Sequence, residues 1–347
     1  MNILVTGGGG YLGSVLIPKL LVRGHRARVV DIGYFGLGHL RGLQPGVEVM
    51  RDDLRRVEDH GFLAGLLEGM DCILHLAAIS NDPSAELHPE LTEEINFKAT
   101  VLLAEAARAR RIPLVFSSSC SVYGEAGGDL TEDSPVNPLT VYAISKVKAE
   151  HELRLLADTC WKPVILRNGT LFGYSPRMRF DLVVNIFSLY STLYNQIRIF
   201  GDGLQWRPFL HVADCARAFV FLAEKGATEH VCYNVAHENL RVVDLAGIFR
   251  ELRPSVDVEH TPLPDLDARN YSVSAARLQA EGFHTRMDVR TGAEQIMEAI
   301  VGGLIPDPES LFYRNAKWLK ELTQIGARDH RQVVELMESF SNARRMP

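Results

Sequence analysis

A chain of 347 residues that is 46% hydrophobic and 23% charged has the make-up of an ordinary globular protein, which excludes a disordered or fibrous architecture. Its formal net charge of −6 supplies no general attraction to nucleic acid or to an anionic membrane, so any phosphate it binds must be held by local arginines and backbone amides. The five cysteines, Cys72, Cys120, Cys160, Cys215 and Cys232, are widely spaced and contain no C-x-x-C pair. This argues against a disulfide framework or a metal site and fits the reducing cytoplasm. With no basic leader before an apolar stretch and no apolar run approaching about 18 residues, neither secretion nor a membrane span is expected.

Residues 2–6, Asn-Ile-Leu-Val-Thr, predict a short strand, followed at once by glycines 7–10 and a helix-like stretch over 11–23. A second apolar run over 27–32 contains Asp31, and runs at 72–76 and 113–116 predict further strands separated by helix-length amphipathic segments. Segments 91–110 and 141–157 read as long helices with charge on one side. Strands alternating with helices predict an α/β fold with a Rossmann-type, doubly wound parallel sheet. Residues 1–170 are assigned to this first domain. Beyond it arginines and aromatics become frequent, and 171–305 are read as a smaller substrate-binding lobe from which elements can return to the first domain. Residues 306–347 are expected to form a helical C-terminal extension.

Gly7, Gly10 and Gly13, with Tyr11 and Leu12 between them, lie where a strand turns sharply into a helix, and the helix N-terminus then faces a pyrophosphate. Asp31, roughly 20 residues on, is placed to accept hydrogen bonds from an adenosine ribose and to repel a 2'-phosphate, which favours NAD. Arg26 and Arg28 keep NADP as the lesser alternative. Asp53, followed by Leu54, is a candidate for the adenine edge or for a plain loop cap.

Tyr142 and Lys146 stand four residues apart, on one helix face and one turn from each other. A tyrosine acting as a base near neutrality needs its pKa lowered by roughly three units from about 10, a shift that Lys146 and a positive nicotinamide would supply together. Ser119, in the run Phe116-Ser117-Ser118-Ser119 just past a predicted buried strand, can bridge the substrate oxygen and that phenol.

With the glycine turn, Ser119 and the Tyr142–Lys146 pair in this order, the sequence resembles the extended short-chain dehydrogenase/reductases, the nucleotide-sugar epimerase and dehydratase family, over residues 1 to about 300. Further matching segments are His75-Leu76-Ala77-Ala78, Ile95-Asn96-Phe97, the run Gly201-Asp202-Gly203-Leu204-Gln205-Trp206-Arg207, His211-Val212-Ala213-Asp214 and Tyr233-Asn234-Val235. The resemblance implies a Ser119, Tyr142, Lys146 triad, with Leu76, Ala77, Ala78 and Asn96 at the cofactor. It also implies that the tyrosinate removes a hydroxyl proton while NAD takes hydride from the same sugar carbon.

Dehydratases and decarboxylases of the family carry acidic residues just after the serine, where this chain has Cys120 and Ser121, so elimination and decarboxylation are disfavoured. Cys120 is read as a buried structural thiol in preference to a proton donor. Arg207 and Arg269 match positions that grip the nucleotide diphosphate, with Arg177 and Arg179 as further candidates. Ser80, Ser119, Cys120, Ser121, Thr170, Asn185 and Tyr271 complete the residues assigned to the substrate side, with ordinary lobe packing an equal alternative for Asn185 and Tyr271. The expected function is an NAD-dependent epimerase of a nucleotide-diphosphate sugar, acting at C4. The alternatives are an NAD(P)H-dependent keto-sugar reductase, a dehydratase, or an NAD-sensing regulator without turnover. By the same resemblance, the two long helices form the contact of a homodimer.

Overall fold

The computed structural model describes residues 1–262 and 269–324. Strands β1 (Asn2–Thr6), β2 (Arg26–Asp31), β3 (Val47–Arg51), β4 (Cys72–His75) and β5 (Leu114–Ser119) follow one another with helical segments between them. A small strand, β6 (Glu125–Leu130), then leaves the main sheet, to which β7 (Val164–Asn168) returns. In the lobe, β8 (Thr170–Phe172), β10 (Trp206–His211) and β12 (Glu238–Arg241) make a three-stranded sheet, and β9 (Gln196–Phe200) pairs with β13 (Asp257–Thr261). The strand β11 (Cys232–Val235) crosses back to the main sheet, while β14 (Asn270–Val273) pairs with β6.

The main sheet is seven-stranded, in the order β3-β2-β1-β4-β5-β7-β11, and every pairing in it is parallel. This is a Rossmann-type α/β fold. Strands β4, β7 and β11 are buried at every position because helices cover both faces, so they read as continuous apolar runs instead of alternating ones. On one face Leu16, Ile17 and Leu20 pack with Phe219 and Leu222; on the other Leu103, Ala107, Ala149 and Leu153 do the same work. A separate core around Phe172, Phe187, Phe209 and Phe249 holds the lobe.

Strand order reverses between β1 and β4, and the crevice at the carboxyl ends of these strands is where such a sheet offers a ligand site. The expected helix over 91–110 is one helical run over 89–110 interrupted by a π turn, Glu94–Lys98, which holds Asn96. The helix expected over 11–23 begins only at Gly13, since the glycine turn extends through residue 12. Of the C-terminal extension, a short turn (Leu311–Tyr313) and the helix Asn315–Gln324 are described. Residues 325–347 lie outside the described residues.

Candidate active site

A cleft of ≈ 1140 Å³ runs along the carboxyl ends of the sheet and under the lobe. Its floor is the glycine turn, and the three glycines answer to different constraints. Gly7 has φ 70°, and a Cβ there would stand 2.7 Å from the backbone of Ala77, so close approach of the segment after β4 requires it. Gly13 presses on the Gly8 backbone. At Gly10, by contrast, a Cβ would meet only the Gly7 carbonyl, at 3.3 Å, with the cleft beyond. That contact is tight but looser than those at Gly7 and Gly13, and Gly10 lines the cleft. The helix Gly13–Val22 carries no acid in its first turn, so its positive end faces the cleft unopposed.

At the end of β2, Asp31 accepts from the Gly9 amide at 2.9 Å and from the Gly33 amide at 2.8 Å. Burial raises its pKa, opposed by those two amides and by the charges of Arg177 and Arg51. Arg28 points away from the cleft, donating to Glu48 at 2.8 Å and to backbone carbonyls of the segment 65–68, and Arg26 stands at the opposite end of β2. Asp53 accepts from the Arg55 amide at 2.9 Å as a loop cap, and with Leu54 it lines the cleft. Leu76, Ala77, Ala78 and Ser80 line the wall between the two ends.

Ser119 ends β5, and Tyr142 begins the helix Val141–Leu156, whose cap Thr140 accepts from the Ala143 amide and donates to Asp82 at 2.5 Å. Tyr142 and Ser119 are hydrogen bonded. Lys146 lies one turn below, 2% exposed, donating to the Ser117 carbonyl at 2.8 Å; its ammonium is 4.6 Å from the Phe116 ring centre and 5.8 Å from that of Tyr142. Burial lowers its pKa to about 7, against the pull of Glu150. Burial, then the charge of Asp82, push the Tyr142 phenol up to about 12, with Ser119, Arg179 and Arg269 opposing. Ser119 and the two arginines thus offset only part of the effect of burial.

Behind the triad Glu150 accepts from Ser118 at 2.6 Å and from Arg167 at 2.7 Å. Burial alone would raise that carboxyl, but Arg167, Arg154 and Ser118 hold it below the usual value. The end of β5 is therefore pinned from beneath by charge, while Asn168 braces it from the side with bonds to Ser117 and Ser118.

On the lobe side, Thr170, Arg207, Arg269 and Tyr271 line the cleft. Arg207 donates to the carbonyl of Trp206 at 2.9 Å and to that of Arg269, and Arg269 pairs with Asp82 at 3.2 Å. Arg179 forms a two-pronged pair with Asp181 at 3.0 and 2.8 Å, and Asp181 also accepts from Asn81 at 2.7 Å. Sequence reasoning missed Asn81, Asp82 and Asp181. They lie in irregular segments or at the start of a short helix, and nothing in their spacing shows that the chain brings them beside Tyr142.

Three assignments are corrected, Asn96, Ser121 and Asn185, while Cys120 is buried, as its structural reading has it. Asn96 is fully buried, accepts from the Ile79 amide at 2.8 Å and donates to Ser145 at 3.1 Å; it ties the loop after β4 to the catalytic helix instead of touching the cleft. Cys120 is buried in a core with Val122 and Tyr123, Ser121 is buried beside it, and neither lines the cleft. The Cys120 thiol donates to the Arg167 carbonyl, and burial raises its pKa. Asn185 is also fully buried, bonded to the Gly173 amide, the Tyr11 hydroxyl and the Arg179 carbonyl. Tyr11 in turn donates to the Gly173 carbonyl at 2.5 Å, bolting the glycine turn to the lobe.

A parallel sheet in this order, a glycine cradle at its crossover and a serine, tyrosine and lysine on the neighbouring strand and helix define the extended short-chain dehydrogenase/reductase class. The chain belongs to the NAD dependent epimerase/dehydratase family, whose profile matches residues 3–236. It is 33% identical over 240 residues to an uncharacterized UDP-glucose epimerase of Bacillus subtilis (strain 168), a match covering 65% of this chain and 73% of that one. It is 29% identical over 313 residues to a dTDP-glucose 4,6-dehydratase of Neisseria gonorrhoeae, covering 81% and 89%. Among solved structures it resembles the UDP-glucose 4-epimerase of Thermus thermophilus in complex with NAD, with a TM-score of 0.74 at 27% identity, covering 86% of this chain and 100% of that one.

Proposed function

We propose that the protein is an NAD-dependent epimerase of a nucleotide-diphosphate sugar, inverting C4 through a transient 4-keto sugar. The observation that carries this reading is the placement of Ser119, Tyr142 and Lys146 at the cleft with no free carboxyl group beside them among the described residues. Asp82 is engaged by Thr140 and Arg269. Burial would raise the Asp181 carboxyl, but the charge and hydrogen bonds of Arg179 hold it below its ordinary value, so it is a poor acid at neutral pH. Elimination of water needs such an acid; epimerisation does not.

NAD, when bound, accepts a hydride from the sugar and returns it. The chain does the rest. The Ser119 hydroxyl orients the reacting oxygen, and the Tyr142 phenol oxygen takes its proton and later gives it back. Because burial and Asp82 hold that phenol protonated, Tyr142 becomes a base only when further positive charge enters the cleft. Arg207 and Arg269 are proposed to hold the sugar-nucleotide diphosphate, and Thr170 and Tyr271 to border the sugar. Asp31 supports NAD over NADP, since its carboxylate lines the cleft while Arg28 is turned away. We also propose a cytoplasmic homodimer joined through the helical run 89–110 and the helix Val141–Leu156.

The test is incubation of the purified protein, with no reductant, with UDP-, GDP-, dTDP- and CDP-sugars. An isomer of unchanged mass is expected. A product that forms only when a keto sugar and NADH are supplied would move the assignment to a reductase, and a product lighter by one water would move it to a dehydratase.

A further inference from the structure

We infer that the C-terminal segment 311–324 completes the dinucleotide site, its helix and Arg177 forming a second anion subsite for the pyrophosphate of the cofactor. The inference rests on the reading of the cleft as a dinucleotide site. Arg177 lies within residues 3–236, which the family profile matches, and the segment 311–324 lies beyond them.

The segment is docked across the cleft by contacts at both ends. On the lobe side the Phe180 amide donates to the Tyr313 carbonyl at 2.7 Å, and the two rings meet edge to face at 5.9 Å. On the other side Trp318 donates its indole N–H to the Tyr34 carbonyl at 2.7 Å, in the loop that follows Asp31. Leu322, 3% exposed, packs with Tyr34, Phe312 and Leu319 beneath that contact. The helix Asn315–Gln324 is ten residues long with no acid in its first turn, and Asn315, Ala316 and Lys317 line the same cleft as the glycine turn. The amides of a first turn are those that a helix leaves without internal partners.

Arg177 is the independent observation. It is 2% exposed and lines the cleft, donates to the Asn315 side-chain oxygen at 2.5 Å, and stacks 3.8 Å from the Phe35 ring centre. Its Nε has no hydrogen-bond partner among the described residues. A buried guanidinium with an unmet donor is costly unless something supplies an acceptor. Arg177 is also fixed next to the glycine turn, because Ser175 accepts from its amide at 3.3 Å and donates to the Tyr11 carbonyl at 2.8 Å. The glycine turn, Arg177 and the first residues of the helix Asn315–Gln324 thus line one cleft, where we place the anion. A diphosphate fits that environment; a neutral ribose or a positively charged nicotinamide does not.

The experiment uses the full chain, stripped of cofactor and reloaded. Calorimetry gives the affinity for NAD, and exchange against labelled NAD gives its release rate. Arg177→Gln should weaken NAD about ten- to a hundredfold, the range for a lost hydrogen bond to a charged group. Asn315→Ala and Trp318→Phe, which keep the fold, should speed release several-fold, and the Arg177→Gln/Asn315→Ala pair should fall short of additivity. The loss should appear with ADP as ligand, be absent with adenosine, and leave UDP binding unchanged. Unaltered NAD affinity in Arg177→Gln, or unaltered release in both helix variants, would overturn the inference. So would a loss confined to NADP, which would place a 2'-phosphate there, or one confined to UDP. The readout is binding, so failure to epimerise any sugar nucleotide counts only against the proposed function. A wild-type chain that takes up no NAD at all would remove both.

Discussion

The two walls of the cleft are built by different means. The glycine-turn wall is backbone: three glycines, a helix end and one carboxylate, Asp31, from adjacent stretches of chain. The lobe wall is side chain, with Asn81, Asp82, Thr140, Arg179, Asp181 and Arg269 drawn from distant segments into linked hydrogen bonds and ion pairs. A backbone wall suits a ligand common to a whole family, since its shape follows from the fold. A side-chain wall can be rewritten residue by residue, and it is there that a choice among sugars has room to reside.

Breaking the catalytic edge that both walls share should have the largest effect. Tyr142→Phe is expected to lower turnover about 10²- to 10⁴-fold while NAD stays bound, as read by single-turnover kinetics and by cofactor content. On the lobe wall, Asp181→Asn leaves the Arg179 charge without its partner, and chemical denaturation should show a loss of about 3–5 kcal/mol. A fall in sugar-nucleotide affinity with unchanged stability would instead show that the pair faces solvent more than the structure allows. On the backbone wall, Gly7→Ala should cost about 1–3 kcal/mol in stability. Gly10→Val, in contrast, should abolish NAD binding with the melting temperature unchanged; equal destabilisation by the two would erase the distinction drawn between them.

A smaller effect concerns pH. Lys146 stays charged in the unfolded chain up to about 10.5 but in the folded protein only to about 7. Between those values the unfolded state binds more protons, so this group makes stability rise with pH, and its burial cost is fully present below 7. Denaturation midpoints of the cofactor-free protein should show that rise, and Lys146→Met should flatten it. The least effect is expected at Cys120→Ala: a loss of about 1 kcal/mol in stability and no loss of turnover, and a dead enzyme would return the thiol to the reaction.

Legibility in the sequence follows the same division. The sheet, the glycine turn and the Tyr142–Lys146 pair are coded by neighbours: apolar runs bounded by glycine, and two residues one helical turn apart. The position of a side chain is a different matter. Asn96 reads as a cofactor contact by resemblance and Asn185 as either a ligand contact or lobe packing, and each here satisfies buried backbone groups. Cys120 follows Ser119 directly, and the chain turns its side chain into the core at that step. Asp82 could be found only through its tertiary partners, Thr140 and Arg269.

The return of β11 to the edge of the main sheet bears on how the molecule is made. Until residues 232–235 have left the ribosome, the fully buried strand β7 is the rim of a growing sheet, with an unpaired row of backbone groups. The nascent chain must therefore carry an adhesive border throughout synthesis of much of the lobe. Truncated products of this gene, or chains stalled before that point, should be the ones that aggregate or recruit chaperones.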